Sequence, residues 1–216
     1  MTLKIYGVSM STCVRRVALI CKEKNVPYEI VPIDFSKAEH KSASYLEKQP
    51  FGQIPYIHEK DDDGFILYES RAIGTYIARK YASQGTQGLI PTTNDPAALA
   101  LYDQALSIET AQFDPSASGL AWENVFKKLH GIEADKARVE ELLTTLNGKL
   151  DGYERILSKQ KYLAGDHITL ADLFHLPYAG LLVVQGYDVL EKRPNVARWF
   201  KDISSRPSWE AVKEFA

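Results

Sequence analysis

LKIYGVSMSTCVRRVALICKEKNVPYEIVPI, residues 3–33, decides the fold. Leu3-Lys4-Ile5-Tyr6 alternates apolar and polar side chains as a short strand does. Val14, Val17, Ala18 and Cys21 then fall at i, i+3, i+4 and i+7, the stripe of a helix laid on a sheet. Tyr28-Glu29-Ile30-Val31-Pro32-Ile33 is a second β-rich run. Strand, helix and strand at this spacing make a βαβ unit, so the two strands are expected to be parallel with a right-handed crossover.

Outward from that unit, residues 54–59 (IPYIHE) and 65–68 (FILY) are short β-type runs. Asp61-Asp62-Asp63-Gly64 between them ends in the Asp-Gly hairpin signal, so they are expected to pair antiparallel. Ser70 stands where an N-cap belongs, ahead of Ile73, Ile77 and Tyr81 on one helix face. The first eighty residues therefore read β-α-β, an irregular polar segment, then β-β-α.

Residues 83–92 (SQGTQGLIPT) are rich in Gly, Pro and polar side chains and read as the interdomain linker between domains at 1–82 and 93–216. The second domain is helical by pattern, and Pro115 is expected to kink or break the run 95–129. Val139, Leu142, Leu143, Leu146, Leu150, Tyr153 and Leu157 form a long apolar stripe, the mark of a bundle helix. Thr169-Leu170-Ala171-Asp172 looks like a capping box with Asp in place of Glu, opening the very apolar run 173–184.

The 216 residues carry a net charge of −2, are 45% hydrophobic and 25% charged, and so have no overall pull toward nucleic acid or an anionic membrane. The opening MTLKIYG lacks the apolar core of a signal peptide, and no stretch approaches the about 18 apolar residues of a membrane span. A cytoplasmic location is expected. Cys13 and Cys21 would lie roughly 12 Å apart along one helix, too far to bridge, which suits reduced thiols. Zinc-ligand spacing, GxxxxGK, GxGxxG and GxSxG are absent from the sequence, so neither a metal nor a nucleotide is expected.

The loop Gly7-Val8-Ser9-Met10-Ser11-Thr12 puts hydroxyls at a helix N-terminus. Unpaired N–H groups and the dipole there favour an anion by about 0.3–1 kcal/mol. A thiol of ordinary pKa near 8.5 needs about 2–3 kcal/mol of differential stabilisation to ionise at neutral pH. One hydroxyl donated to the sulfur supplies about 1.5–3 kcal/mol. Ser11 can thus be a thiolate holder, or only a cap. Cys13, in the first helical turn, is a rival nucleophile for thiol transfer but lacks a CxxC partner, and Cys21 reads as core. Pro55, if cis to Ile54, would present the backbone of Ile54 to a peptide-like ligand. Glu69-Ser70 at another helix start suits an α-amino acid group, or is a simple cap. His40-Lys41 suits a carboxylate, or is merely solvated.

Taken together, Ser11 to Val17 (STCVRRV), Glu39-His40-Lys41, Gln49 to Pro55 (QPFGQIP), Tyr68 to Ile73 (YESRAI) and Ala164 to Asp172 (AGDHITLAD) resemble the glutathione transferase family, and within it the phi class, over essentially the whole chain. The resemblance implies an α/β plus all-α architecture: a thioredoxin-like βαβ-ββα domain, a helical bundle domain and a homodimer. It makes Ser11 the hydroxyl that holds the thiolate of the co-substrate glutathione, with Thr12 beside it. His40 and Lys41 would hold the glycine carboxylate, Gln53, Ile54 and Pro55 the cysteinyl backbone, and Glu69 and Ser70 the γ-glutamyl end. Met10, Phe35, Phe113, Trp122 and Phe126 are candidate walls for a hydrophobic electrophile pocket between the domains, or core. Phe51 resembles the aromatic key of the subunit interface. The expected activity is conjugation of glutathione to soft electrophiles, with hydroperoxide reduction open to the same thiolate; a non-catalytic carrier of apolar ligands is the alternative. Ser9, Met10 and Cys13 depart from the family's pattern and bear on substrate preference.

Overall fold

The computed structural model describes residues 2–59 and 64–214. The chain divides into two units: Met1–Gln87 together with Pro207–Ala216, and Gly88–Arg206.

In the first unit, β1 (Leu3–Gly7) leads to α1 (Thr12–Glu23) and β2 (Tyr28–Pro32), and β2 pairs parallel to β1 as the apolar periods require. A short 3-10 turn (Glu39–Lys41) and the one-turn helix α2 (Ala43–Leu46) occupy the polar segment that reads as irregular. Then β3 (Tyr56–Glu59) and β4 (Phe65–Tyr68) pair antiparallel, and α3 (Ser70–Lys80) follows. Of the expected hairpin turn, residues 61–63 lie outside the described residues. Among the described residues the sheet has four strands in the order β2-β1-β3-β4, with β1 antiparallel to β3.

α1 packs beside α3, and Ile5, Val14, Val17, Ile20, Ile57, Ile73 and Ile77 are fully buried. Each such side chain contributes roughly 1.5–3 kcal/mol on leaving water. A second cluster joins Ile33, Tyr45 of α2 and Tyr56, with Tyr6 stacked on Tyr56 at 4.4 Å.

The described C-terminal residues from Pro207 onward belong with this unit, which differs from the assignment of all of 93–216 to the helical domain. α11 (Pro207–Glu210) packs on α1. Arg15 donates to the carbonyls of Lys213 (2.9 Å) and Glu214 (2.7 Å), and Ser208 bonds Glu23. Nor is the stretch 83–92 slack. Buried Lys24 donates to Ala82 O and Thr86 O, Thr86 N–H donates to Glu23 O at 2.7 Å, and Leu89 O accepts from Leu170 N–H at 2.9 Å.

The second unit runs α4 (Pro96–Ile108), a π-helical turn (Glu109–Phe113), α5 (Asp114–Ala121), a second π-helical turn (Trp122–Phe126), α6 (Lys127–Leu129), α7 (Lys136–Leu157), α8 (Leu170–Leu173), α9 (Leu176–Val184) and α10 (Pro194–Ser204). Pro115 does not break the run 96–129. It sits in the first turn of α5, and the widened turn before it removes the need for its missing N–H. The apolar run after Asp172 is instead divided at Phe174-His175, because Pro177 cannot donate to the carbonyl one turn back. The capping box forms: Asp172 accepts from Thr169 N–H (2.9 Å) and Oγ1 (3.1 Å), and also from Leu163 N–H and the Trp199 indole (3.0 Å each). Those bonds satisfy a carboxylate that is fully buried. Among the described residues no helix is long and apolar enough to cross a membrane.

Candidate active site

Strand register brings the candidate residues of the first unit to one end of the sheet. Tyr6 of β1 stands opposite Tyr56 of β3, Tyr56 stands opposite Tyr68 of β4, and Gly7 is level with Pro32 of β2. The chain therefore leaves β1, β2 and β4, and enters β3, at the same edge. From β2 come Phe35, His40 and Lys41; from β1 come Met10, Ser11 and Thr12; Gln53, Ile54 and Pro55 precede β3; Glu69 and Ser70 follow β4. Loops gathered at one end of a sheet are where α/β folds commonly bind ligands.

Ser11 is the N-cap of α1, in extended conformation (φ −71°, ψ 127°), and its Oγ accepts from Val14 N–H at 3.4 Å. A hydroxyl has one proton, so an oxygen that accepts from the helix keeps its O–H to donate to a ligand. Ser11 therefore caps α1 and keeps an O–H at the positive helix end. Behind it Gly7 is needed, because a Cβ there would lie 2.5 Å from Val14 Cγ2. The preceding loop is gripped by buried Arg15, whose Nε donates to Ser9 O at 2.9 Å. Thr12 is buried, and Met10 is 45% exposed.

Ile54–Pro55 is cis, and the N–H and C=O of Ile54 take no hydrogen-bond partner among the described residues. The neighbouring Gln53 is anchored through its backbone: its N–H donates to Gln49 Oε1 (3.1 Å) and its C=O accepts from Tyr45 OH (2.7 Å). Lys41 donates to Gly52 O (2.9 Å) and Phe51 O (3.3 Å), leaving one ammonium proton for an anion. Gly52 has φ +60°, and a Cβ there would lie 2.7 Å from Lys41 Nζ and 2.8 Å from His40 O, so only glycine fits. His40 lies 4.4 Å from Phe35, ring centre to ring centre, and its Nδ1 is buried with no partner among the described residues. Burial, and then the charge of Lys41, push the His40 pKa below its usual value.

Glu69 has φ 68° and ψ 106°, a backbone region that a non-glycine residue adopts at a cost of order 1–3 kcal/mol. Ser70 is the first residue of α3 rather than its N-cap; Glu69 holds the cap position without a side-chain bond. The Ser70 hydroxyl accepts instead from Arg16 Nη1 at 2.8 Å. Arg16 is fully buried, and the same nitrogen lies 3.7 Å from Cys13 Sγ. Sequence reading passed over it. The one sequence cue was the adjacent pair Arg15-Arg16 among the apolar residues of α1, and both prove to be buried.

Cys13 is partly exposed, whereas Cys21 is fully buried and its thiol is pushed up to about 12 by that burial. Phe51 is 64% exposed, with its ring 6.2 Å from Tyr68. Phe35 is 46% exposed. In the helical unit Trp122 is exposed, its ring 6.1 Å from His130, and Phe126 is half-buried. Phe113 is not a pocket wall. It is 1% exposed and packs on His175 (4.9 Å) and Tyr153 (6.4 Å), since the π-helical turn directs it into the aromatic core with Trp199.

The family model described as glutathione S-transferase, N-terminal domain, matches residues 1–79, and that for the C-terminal domain matches residues 110–207. Glutathione S-transferase PM239X14 of Arabidopsis thaliana is 47% identical over 200 residues, covering 92% of this chain and 90% of that protein. The crystal structure of glutathione transferase F7 from Populus trichocarpa superposes with a TM-score of 0.89 at 38% identity, covering 98% of this chain and 97% of the other. Glutathione S-transferase I from maize, in complex with an atrazine glutathione conjugate, gives a TM-score of 0.89 at 35% identity over 99% and 97% of the two chains. Sheet order, helical unit and relatives agree, and the chain belongs to the glutathione S-transferase family, within its phi class.

Proposed function

We propose that this protein conjugates glutathione to soft hydrophobic electrophiles through a thiolate held by the Ser11 hydroxyl. That it is a glutathione-dependent transferase follows from the family. The site residues are the proposed part, and the strand order carries the proposal.

Across the sheet the strands run β2, β1, β3, β4, so the loops present in turn His40-Lys41, Ser11, Ile54 and Glu69-Ser70. Glutathione reads in the same order from its C-terminus: glycine carboxylate, cysteinyl thiol with its peptide backbone, γ-glutamyl head. Three interstrand steps span about 14 Å. A tripeptide of ordinary linkage reaches about 10–11 Å, and the γ-linkage lengthens it. Lys41 and the unsatisfied His40 suit the carboxylate. Ile54, with both backbone groups open, suits the cysteinyl amide pair. Glu69 suits the ammonium, and the Ser70 end of α3 the α-carboxylate.

In conjugation the sulfur lone pair attacks electrophilic carbon, a C–S bond forms, and the leaving group departs or the double bond accepts the electrons. Ser11 donates to the sulfur in the ground state, and holding both reactants supplies the rest of the acceleration. Exposed Met10 and Phe35 are the candidates of the first unit for contact with the apolar part of the electrophile. With a hydroperoxide the thiolate attacks oxygen to give a sulfenic acid and an alcohol, and a second glutathione yields glutathione disulfide and water. We also propose a cytoplasmic homodimer, with exposed Phe51 as an apolar contact to the second copy.

Glutathione-dependent turnover of an aryl halide and of a hydroperoxide tests this, measured beside apolar dye binding. Turnover that is saturable in glutathione is expected. Dye binding with no turnover of either substrate would refute the reading in favour of a carrier. Loss of turnover on Cys13→Ser, with Ser11→Ala unaffected, would refute it in favour of a cysteine nucleophile. Analytical ultracentrifugation of Phe51→Ala should show an increased monomer fraction; unchanged dimerisation removes Phe51 from the interface.

A further inference from the structure

Arg16 presents an arginine side chain with no exposed surface, enclosed by the helices of the first unit and directed at the start of α3. Burying a guanidinium costs several kcal/mol unless its protons are used well. One of its nitrogens bridges two acceptors, Ser70 Oγ at 2.8 Å and Cys13 Sγ at 3.7 Å. We propose that Arg16 is a positioning residue for the α-carboxylate of glutathione, acting through the Ser70 hydroxyl. The inference rests on the γ-glutamyl reading of Glu69-Ser70 given above.

The argument is one of proton direction and charge. Ser70 Oγ has one proton and accepts from Arg16, so that proton is left to point away from the guanidinium, outward to a ligand acceptor. A permanent cation behind the hydroxyl polarises its O–H and adds to the positive end of α3, where the first backbone N–H groups are unpaired. An anionic group is the ligand such an arrangement selects, and glutathione carries its α-carboxylate at that end. Arg16 does not touch the ligand; it fixes what Ser70 can be. Without it the hydroxyl would be free to rotate and to turn its proton away from the ligand.

The test pairs variants with two peptides. Four-aminobutyryl-cysteinylglycine keeps the amine of glutathione and lacks the α-carboxylate; glutaryl-cysteinylglycine keeps a carboxylate and lacks the amine. Steady-state kinetics with a saturating aryl halide would be measured for wild type, Arg16→Gln and Arg16→Lys, with peptide KM and kcat reported separately. Wild type is expected to discriminate against the peptide lacking the carboxylate by about 10- to 100-fold in kcat/KM, the range of one charge-assisted hydrogen bond. In Arg16→Gln the KM for glutathione should rise by a similar factor with kcat held, and discrimination against that peptide should largely vanish. Discrimination against the peptide lacking the amine should persist.

Arg16→Lys keeps the charge without the planar fork, and its discrimination should fall at least about 3-fold; this variant carries the test should Arg16→Gln fail to fold. Full wild-type discrimination in a folded variant overturns the role of Arg16 and leaves the γ-glutamyl reading standing. Wild type that accepts both peptides as readily as glutathione overturns that reading itself. An equal loss in kcat and in both KM values, with discrimination intact, shows a structural role only and also overturns the inference.

Discussion

Ser11→Ala removes a hydroxyl that caps α1 and that, in the proposed function, also donates to the thiolate, and the two contributions can be separated. Toward the helix, Oγ accepts from Val14 N–H at 3.4 Å, a long bond, so the cap should be worth about 0.5–1 kcal/mol. In a chain of this length that lowers the melting temperature by roughly 1–4 °C. Toward the ligand, one hydroxyl donated to a thiolate is worth about 1.5–3 kcal/mol, or roughly 1–2 pH units. If the hydroxyl stabilises the ionised sulfur as proposed, the bound thiol titrates below its solution value, and conjugation is present above that pH and lost as pH falls through it. Alanine moves this limb to higher pH by roughly 1–2 units. The deficit in turnover should therefore be about 10- to 100-fold at the acid end and close as pH approaches about 9. The assay is the pH profile of kcat/KM for an aryl halide at saturating glutathione, beside ultraviolet titration of the bound thiolate. Ser11→Thr, which keeps a hydroxyl, should restore most of the activity. An unchanged apparent pKa, or a loss equal at every pH, would refute the reasoning.

Gly52→Ala forces a Cβ against Lys41 Nζ and His40 O at φ +60°; it should cost about 1–3 kcal/mol and raise the KM for glutathione, and an unaltered melting curve and KM would contradict the close packing. Asp172→Asn leaves two of the carboxylate's four donors facing an amide nitrogen, for about 2–5 kcal/mol in denaturant unfolding; a loss under about 1 kcal/mol would mean that the capping box is not a stabilising hub. Native protein at neutral pH should take up one equivalent of an alkylating reagent, at Cys13, because burial withholds Cys21 and pushes its thiol up to about 12. Mass spectrometry that found two equivalents before unfolding would overturn that assignment.

Elements whose apolar residues keep a strict period were legible in the sequence. The alternation at 3–6, the stripe 14–21 and the long stripe 139–157 became β1, α1 and α7 with small boundary shifts. What escaped was decided by single backbone or side-chain conflicts. Pro177 divides a run that hydropathy alone joins, while Pro115 divides nothing because a widened turn precedes it. Phe113 has the composition of a pocket wall, and only the π-helical phase sends it inward. At the site, residue types pointed to anion and peptide binding, but their convergence depends on strand register, which no local window contains. Arg16 was hidden for a different reason: a buried cation reads in sequence as a surface cation, and only its partner Ser70, far along the chain, shows where it goes.

The seam between Arg15 and the carbonyls of Lys213 and Glu214 has a consequence for the order of synthesis. About 120 residues, the whole helical unit, separate Gln87 from Pro207. At about 5–20 residues per second, the sheet and α1 wait some 6–24 s after emergence before the segment that closes them exists. During that interval the guanidinium that grips Ser9 O has not met the carbonyls of Lys213 and Glu214. The helical unit, continuous in sequence, needs no such wait. The unit that leaves the ribosome first is the one completed last.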